Sequence, residues 1–518
     1  MEQRLTDNPQ EQPFQMKSIM LPLVAIILGC FMVILDTTAM NVALSKLVDD
    51  FHTQLPTLQW TVTGYMLAQA AVIPLAGWLS DRFGAKTIFL TSVILFTLGS
   101  LLCAMPNDPQ MLILFRVIQG LGGGFVMPVA MAYVYRLSPP NKVGQVMGML
   151  GVPILLAPAI GPILSGWLVE YHSWRWIFLI NLPVGVISVW FGLRYLPKLA
   201  TKKLAGLDVP GMILGPLAFA ALSYGVNQGA ESWTSDKTLI GLIAGGVALI
   251  VFIFVELRAT HPLLDLRVFR SVDFSFGIVV QWIVQFSLFG AIFLLPQFLQ
   301  QGRGYGAFDT GLTLFPQALA SACMMPIGGY LFDRIGVRWL VVIGLSLVSG
   351  AIFQYSNLDI HTGREDLLLP LIMAGSGMGL MMMPLNSHLI NKTPRELVSR
   401  VTSLTSAMQQ VISSLAVALL VTILTKRIAK LMAEANVPPE VLAGQTSSGD
   451  AAAQASPEQL QQLLALAVDA FDYTFGIMVF VAITGALLGL LLRRGKRPSG
   501  EITQADKPEA ALEGLHMG

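Results

Sequence analysis

The sequence predicts an all-α polytopic membrane protein of fourteen transmembrane helices, built as two six-helix bundles with two further helices inserted between them. Three observations carry this expectation. The 518 residues are 54% hydrophobic and only 12% charged, with mean hydropathy +0.66. A soluble domain carries about a quarter charged residues, so lipid is the expected solvent. Fourteen mostly apolar segments are each long enough to cross a bilayer. Finally, a ten-residue turn occurs twice, as Gly77-Trp-Leu-Ser-Asp81-Arg82-Phe-Gly84-Ala-Lys86 and as Gly329-Tyr-Leu-Phe-Asp333-Arg334-Ile-Gly336-Val-Arg338, starting 252 positions apart. A charged, Gly-punctuated turn at matching places in two apolar halves is the mark of an internally duplicated transporter.

The chain opens on a polar tail, residues 1–18. Spans 1 to 6 follow at 19–44, 57–79, 86–105, 109–136, 143–168 and 175–196, giving a first bundle over 19–200. Span 1 is too long for a signal-peptide core and contains Asp36, so it reads as retained. Spans 7 and 8, at 208–228 and 237–257, form an inserted segment, 201–260. The repeat is most simply explained by them: its copies follow spans 2 and 10, an offset of eight helices where two plain six-helix halves would give six. Spans 9 to 14 lie at 272–297, 309–332, 338–356, 366–390, 399–425 and 472–493 and make a second bundle over 261–493. This bundle carries a polar loop, 426–471, in which Ser456-Pro457-Glu458-Gln459 has the pattern of a helix start. A polar tail, 494–518, ends the chain.

Lysine and arginine set the orientation. With the N-terminus cytoplasmic, 23 of the 32 basic residues fall in inner segments and eight in outer ones, and Arg116 is left inside a span. This asymmetry places both termini and both repeated turns in the cytoplasm, and the loop 426–471 outside.

Asp36 is the sharpest single residue, because an ionisable group within a span is costly and usually functional. It lies about 12 Å from the outer end of span 1 and Arg116 about 10 Å into span 4, at ~1.5 Å per residue. The two therefore sit at similar depth and could share a water-filled cavity in which Asp36 takes a proton or a cation and Arg116 tunes it. A static pair that only fixes helix packing is the alternative. No other Asp or Glu lies clearly within a span.

The repeated turns, Gly77, Asp81, Arg82, Gly84 and Lys86 with Gly329, Asp333, Arg334, Gly336 and Arg338, are expected to act as a conformational switch. Asp81 and Asp333 could face the positive end of a neighbouring helix or pair with an arginine such as Arg136. Span 5 is dense in helix-softening residues, among them Gly151, Pro158, Gly161, Pro162 and Gly166. In the second half Gln281, Trp282, Gln285, Phe286, Phe289, Asn386 and Gln409 could line an aromatic, neutral substrate cavity. Each polar one taken alone is more often an interhelical hydrogen bond.

Several classes are excluded. Net charge is +1, which argues against nucleic acid. Cys30, Cys103 and Cys323 lie in apolar runs and read as packing residues. There is no phosphate-binding G-x-x-x-x-G-K-[ST] loop and no intramembrane His/Asp/Glu cluster, so neither ATP hydrolysis, a metal, a cofactor nor an enzyme is expected.

The residues Leu35-Asp36-Thr37-Thr38-Ala39-Met40-Asn41-Val42-Ala43-Leu44, the turn Gly77–Lys86, Arg116 with Gln119, Gly120 and Gly122, the Pro/Gly run Gly151–Gly166, and Trp174-Arg175-Trp176-Ile177-Phe178-Leu179-Ile180-Asn181-Leu182-Pro183-Val184-Gly185 together resemble the major facilitator superfamily. Within it they are similar to the 14-spanner drug:proton antiporters of the EmrB/QacA type. The resemblance covers nearly all of the chain. It implies the major facilitator fold, proton-coupled efflux of small amphipathic or lipophilic compounds by alternating access, and a multi-pass protein of a bacterial cell (inner) membrane. It assigns proton transfer to the span-4 motif, an antiporter role to the span-5 run, and cavity lining to helices 1 and 4 with their counterparts 9 and 12. Ser45 stands where the family signature often has Pro, and Ala157 and Ser165 where the exporter motif often has Gly. The second half lacks the extra membrane acid that some relatives use for divalent cations. A dedicated metabolite exporter, a symporter, and a non-transporting sensor or scaffold remain alternatives. Small-molecule substrate, protons and lipid are the expected partners, and whether a periplasmic adaptor docks on 426–471 is left open.

The orientation has a direct check. With the three native cysteines replaced, a cysteine introduced at Ser447 is expected to react with an impermeant maleimide on intact cells, and one at Lys86 to react only after lysis. The reverse pattern would overturn the assigned sidedness.

Overall fold

A computed structural model describes residues 16–53, 55–138, 142–199, 201, 208–229, 232–260, 262–358, 362–391, 393, 397–435 and 457–492. Among them the chain is helical, with no strand. The helices are α1 (Met16–Phe51), α2 (Leu55–Val72), α3 (Ala76–Phe83), α4 (Ala85–Cys103), α5 (Pro109–Leu137), α6 (Val143–Tyr171), α7 (Arg175–Leu179), α8 (Asn181–Tyr195), α9 (Val209–Gly229), α10 (Asp236–Arg258), α11 (Val272–Gln297), α12 (Ala307–Ile335), α13 (Val337–Tyr355), α14 (Arg364–Asn391), α15 (Val398–Glu434) and α16 (Pro457–Gly489). Among the described residues, thirteen spans are long and apolar enough to cross a membrane. The predicted span 309–332 is not among those thirteen. It is nonetheless one unbroken 29-residue helix, α12, interrupted in its apolar run by Pro316, Gln317 and Pro326.

Two spans are broken, each at a proline. Span 2 passes through a 3-10 turn, Ile73–Leu75, between α2 and α3. Pro74 has no N–H to give to the preceding turn, and its ring crowds the carbonyl there. Span 6 breaks at Ile180 between α7 and α8, three residues before Pro183, for the same reason. Span 13 runs on as helix to Glu434, and α16 already begins at Pro457. The polar loop expected over 426–471 is therefore helical at both ends. No Gly or Pro stops 426–434, and Lys430 pairs with Glu434 one turn on at 3.8 Å. Arg427 and Asp469, 3.2 Å apart, tie the two extensions together. Ser456, the N-cap read from the sequence, and the tails beyond 16 and 492 lie outside the described residues.

Helix packing is organised by halves. In the first, α1 packs on α6 and α8, α4 on α5 and α8, and α2 on α5. In the second, α14 packs on α12 and α13, and α16 on α11, α13 and α15. The halves meet most extensively along α6 and α12. Helices α9 and α10 form a hairpin, and α9 packs against both α2 and α15. The outer stripe of α10, Ile240, Ile243, Val247, Ile250, Phe254 and Leu257, is exposed at helical spacing. Such a stripe is tolerable only against lipid.

The hairpin closes at Gly225, where an added Cβ would lie 2.6 Å from Leu242 N, whereas a Cβ at Gly246 would meet nothing within 4 Å. Gly225→Val is expected to lower the melting temperature of the purified protein through overpacking worth about 1–3 kcal/mol. Gly246→Ala should leave it unchanged or slightly higher. Equal effects from the two would contradict the close backbone contact.

Candidate functional site

The most enclosed polar cluster lies in the first half around Asp36. Asp36 and Arg116 are both 0% exposed, and Arg116 Nη1 donates to Asp36 Oδ2 at 2.5 Å. The other oxygen, Oδ1, accepts from Gln119 Nε2 at 2.9 Å and from Asn181 Nδ2 at 3.0 Å. Helix geometry explains the convergence. Arg116 and Gln119 stand three residues apart on α5 and so share a face, while the break at Ile180 restarts the helix with Asn181 as its first residue. Arg116 Nη1 also reaches Gln119 Oε1 at 2.7 Å, and its Nε donates to the Thr61 carbonyl at 3.1 Å. Ser100 Oγ accepts from Gln119 and Asn181 at 2.7 and 3.2 Å. The guanidinium carbon lies 4.0 Å from the centre of the Tyr65 ring and 5.6 Å from that of Phe178, within cation–π range. The depth match read from the sequence becomes direct contact. Amides and rings surround the pair, and Arg116 Nη2 is buried without a hydrogen-bond partner among the described residues.

The repeated turns use two solutions to the same problem. Gly84 and Gly336 have φ of +88° and +78°, a region that excludes most side chains. Asp81, 1% exposed, accepts from Arg136 Nη2 at 2.8 Å and faces Arg400 Nε of α15 at 3.8 Å. Asp333 accepts instead from the backbone N–H of Gly144 and of Gln145, each at 3.3 Å, at the positive start of α6. Both turns reach across to the other half. A Cβ at Gly77 would strike the backbone of Ser399 and Arg400, and one at Gly329 the backbone of Gly144. The basic residues hold the turn ends: Lys86 donates to the carbonyls of Leu193 and Leu196 at 2.9 and 2.7 Å. Arg82, Arg334 and Arg338 lie over Trp78, Tyr330 and Trp339 respectively.

On α6, Gly161 lets the helix touch α1 at Thr38, two residues from Asp36, while Gly151 faces Met325 and Met383 of the second half. A Cβ added at Gly166 would lie 3.8 Å from Phe308, and Pro158 and Pro162 are half-buried.

The residues proposed for a substrate cavity separate. Asn386 Oδ1 accepts from Gln281 at 2.8 Å and from Gln409 at 3.1 Å, joining α14, α11 and α15. Gln285, one turn beyond Gln281, turns to Ser413 at 3.0 Å. Phe286 packs against the core of the second half. Trp282 lines a different space, an apolar cavity of about 480 Å³ shared with Phe219, Phe252, Phe269, Leu404 and Met408. The side chain of Phe289 lies outside the described residues. Among those described, no group of His, Cys, Asp and Glu could hold a metal.

Sequence reasoning did not single out Thr61, Tyr65, Ser100, Asn181 or Arg400 as members of these clusters. It also passed over Glu256, which is 2% exposed in the last turn of α10. Glu256 is a polar residue at the edge of an apolar run, whereas Asn181 stands within span 6 and inside the Trp174–Gly185 motif, the signal that could have found it.

Comparison with known proteins is consistent along the chain. The profile of the Major Facilitator Superfamily matches residues 26–417. The uncharacterized MFS-type transporter YhcA of Bacillus subtilis is 36% identical over 79% of this chain and 77% of its own length. The multidrug resistance protein B homolog of Mycobacterium tuberculosis is 36% identical over 77% and 75%. The lincomycin resistance protein LmrB of Bacillus subtilis is 29% identical over 93% and 97%. Among solved structures, the proton:xylose symporter XylE superposes with TM-score 0.58 at 13% identity over 93% of this chain and 98% of its own. The human organic anion transporter MFSD10 superposes with TM-score 0.57, also at 13% identity, over 90% and 99%. The helical architecture, the duplicated turn and these matches together establish that the chain belongs to the Major Facilitator Superfamily and is a multi-pass membrane transporter.

Proposed function

We propose that this transporter exports small amphipathic or lipophilic compounds in exchange for protons by alternating access, from a cell (inner) membrane with both termini cytoplasmic. The observation that carries the reading is the sealed pair of Asp36 and Arg116. Two opposite charges held out of water have a large desolvation cost, and removing one of them changes the balance by several kcal/mol. A proton on Asp36 does this without chemistry elsewhere. It cancels the attraction to Arg116, while the Tyr65 and Phe178 rings still accommodate the guanidinium. Asp36 sits two residues from the point where α1 touches Gly161 of α6, and α6 is the helix that lines the contact with the second half. A change of charge at Asp36 thus has a short mechanical route to that interface.

The repeated turns supply the latch. Asp81 with Arg400, and Asp333 with the start of α6, join the two halves at one end of the molecule. Breaking both contacts is what opening at that end requires. Gln281, Asn386 and Gln409 offer the few polar contacts that an otherwise apolar substrate site uses for orientation. The curated relatives named for multidrug and lincomycin resistance support small drug-like cargo.

Two outcomes test the reading. Asp36→Asn is expected to abolish proton release when ethidium, an amphipathic cation, is added to the purified protein, with membrane insertion preserved because Asn still accepts from Arg116. Release at wild-type stoichiometry would exclude Asp36 as the proton carrier. Asp81→Asn is expected to slow transport by about tenfold, ~1.4 kcal/mol in the barrier, with ethidium affinity changed by less than several-fold. A loss of affinity that accounts for the whole transport defect would remove Asp81 from the latch.

A further inference from the structure

The inserted hairpin carries a second buried carboxyl cluster that the transport scheme above does not use. Asp208 precedes α9, and Glu256 lies in the last turn of α10; they are 8% and 2% exposed. The two carboxyl groups approach within hydrogen-bonding reach of each other. A Cβ at Gly211 would touch Asp208 Oδ2 and Glu256 Oε1 at once, so both oxygens crowd the same point. Three backbone donors hold the pair. Gly211 N gives to Asp208 Oδ1 at 2.9 Å, Leu263 N to Asp208 Oδ2 at 3.2 Å, and Leu264 N to Glu256 Oε2 at 3.2 Å. Glu256 Oε1 is buried and has no donor among the described residues.

With both groups ionised, that oxygen would face a second carboxylate with nothing between them. Two like charges at such range do not both persist in an apolar site. A bound cation is a poor alternative, because the surrounding backbone presents N–H groups and not carbonyls. A single proton supplies the missing donor.

We propose that Asp208 and Glu256 form a proton-binding site that holds one proton between their carboxyl groups and thereby clamps the connector 262–265 across the inserted hairpin. The connector is well placed to matter. Leu263 and Leu264 are both 0% exposed, in a cluster with Phe219 and Phe252 of the hairpin, Ile73 and Trp78 of the first half, and Leu404 and Ala407 of α15. The same two residues whose N–H groups grip the carboxyls therefore belong, through their side chains, to the apolar cluster that joins the hairpin to both halves.

Among the described residues, the other charged groups nearby are engaged elsewhere. Asp265 accepts from Arg267 N at 3.1 Å, and Arg267 Nη2 from its side donates to the Ala259 carbonyl at 3.4 Å. Arg258 lies over the Phe254 ring at 3.9 Å, and Asp81 is met by Arg136 and Arg400. Among the described residues no ion pair to Asp208 or Glu256 occurs. When the proton leaves, two facing carboxylates remain and the clamp loosens. Stability from the proton is present while the pair is protonated and falls as pH rises.

The test is infrared difference spectroscopy of the full chain in lipid nanodiscs, wild type against Glu256→Gln and against Asp208→Asn. Either amide replaces the shared O–H by an N–H donor. Each variant should lack one protonated-carboxyl stretching band that the wild type shows at neutral pH. Amide exchange at Leu263 and Leu264 should rise with pH in the wild type beyond the rise in either variant, and wild-type melting temperature should fall relative to both as pH rises. A wild-type spectrum without that band, or variants that retain it, would overturn the proposal. Failure of both variants to fold would overturn it as well, since each supplies the donor the site requires. None of these readouts depends on transport or on Asp36.

Discussion

An arginine and a carboxylate locked together where neither water nor lipid reaches them impose the strictest demand on this fold. Asp36 and Arg116 can remain charged only if every oxygen of the one and most nitrogens of the other find partners, and the pair and those partners come from four helices, with Ser100 of a fifth behind them. The first half is arranged to meet that demand. Close packing of α4 on α5 brings Ser100 to Gln119, and the interruption of the sixth span turns Asn181 inward. Gly161 admits α1 close enough for Thr38 to touch α6. Relaxing any of these positions would leave a buried polar atom without a partner, which is costly in a low-dielectric interior.

The second constraint is geometric. The two halves touch at one end through glycines backed by carboxylates, so backbone meets backbone at Gly77 and at Gly329. Contacts of this kind have little tolerance for gradual separation, and they are either seated or apart. One turn is backed by an ion pair and the other by a helix terminus. The Asp81 ion pair is buried, so salt screens it little, whereas Asp333 at its helix terminus is half-buried.

Much of this was legible in the residues, for identifiable reasons. A charge inside an apolar run stands out without any alignment, so Asp36 and Arg116 were visible, and helical rise alone put them at one depth. The duplicated turn announced both its glycines and its aspartates, and Arg136 was named as a partner for Asp81. What stayed hidden depended on which faces meet. Gln281 and Gln285 look equivalent one turn apart, yet one joins Asn386 and the other Ser413. Arg400 meets Asp81 only through the approach of α15 to α3, which no local pattern encodes. Glu256 was missed because span boundaries drift by a turn, and a residue in the final turn reads as interfacial until neighbours bury it. The breaks in spans 2 and 6 follow from Pro74 and Pro183, but proline is common enough in membrane helices that its presence alone does not say which span will split.

The inserted hairpin has a consequence for how the protein senses its surroundings. Helix α10 is 23 residues long, about 35 Å at ~1.5 Å per residue, and meets the acyl chains along its whole outer stripe. Its partner α9 touches one helix from each half. A hydrocarbon layer thinner than that length tilts the hairpin, and a thicker one draws it upright. Because α9 packs on a helix of each half, any tilt that bilayer thickness imposes on the hairpin bears on both halves at once.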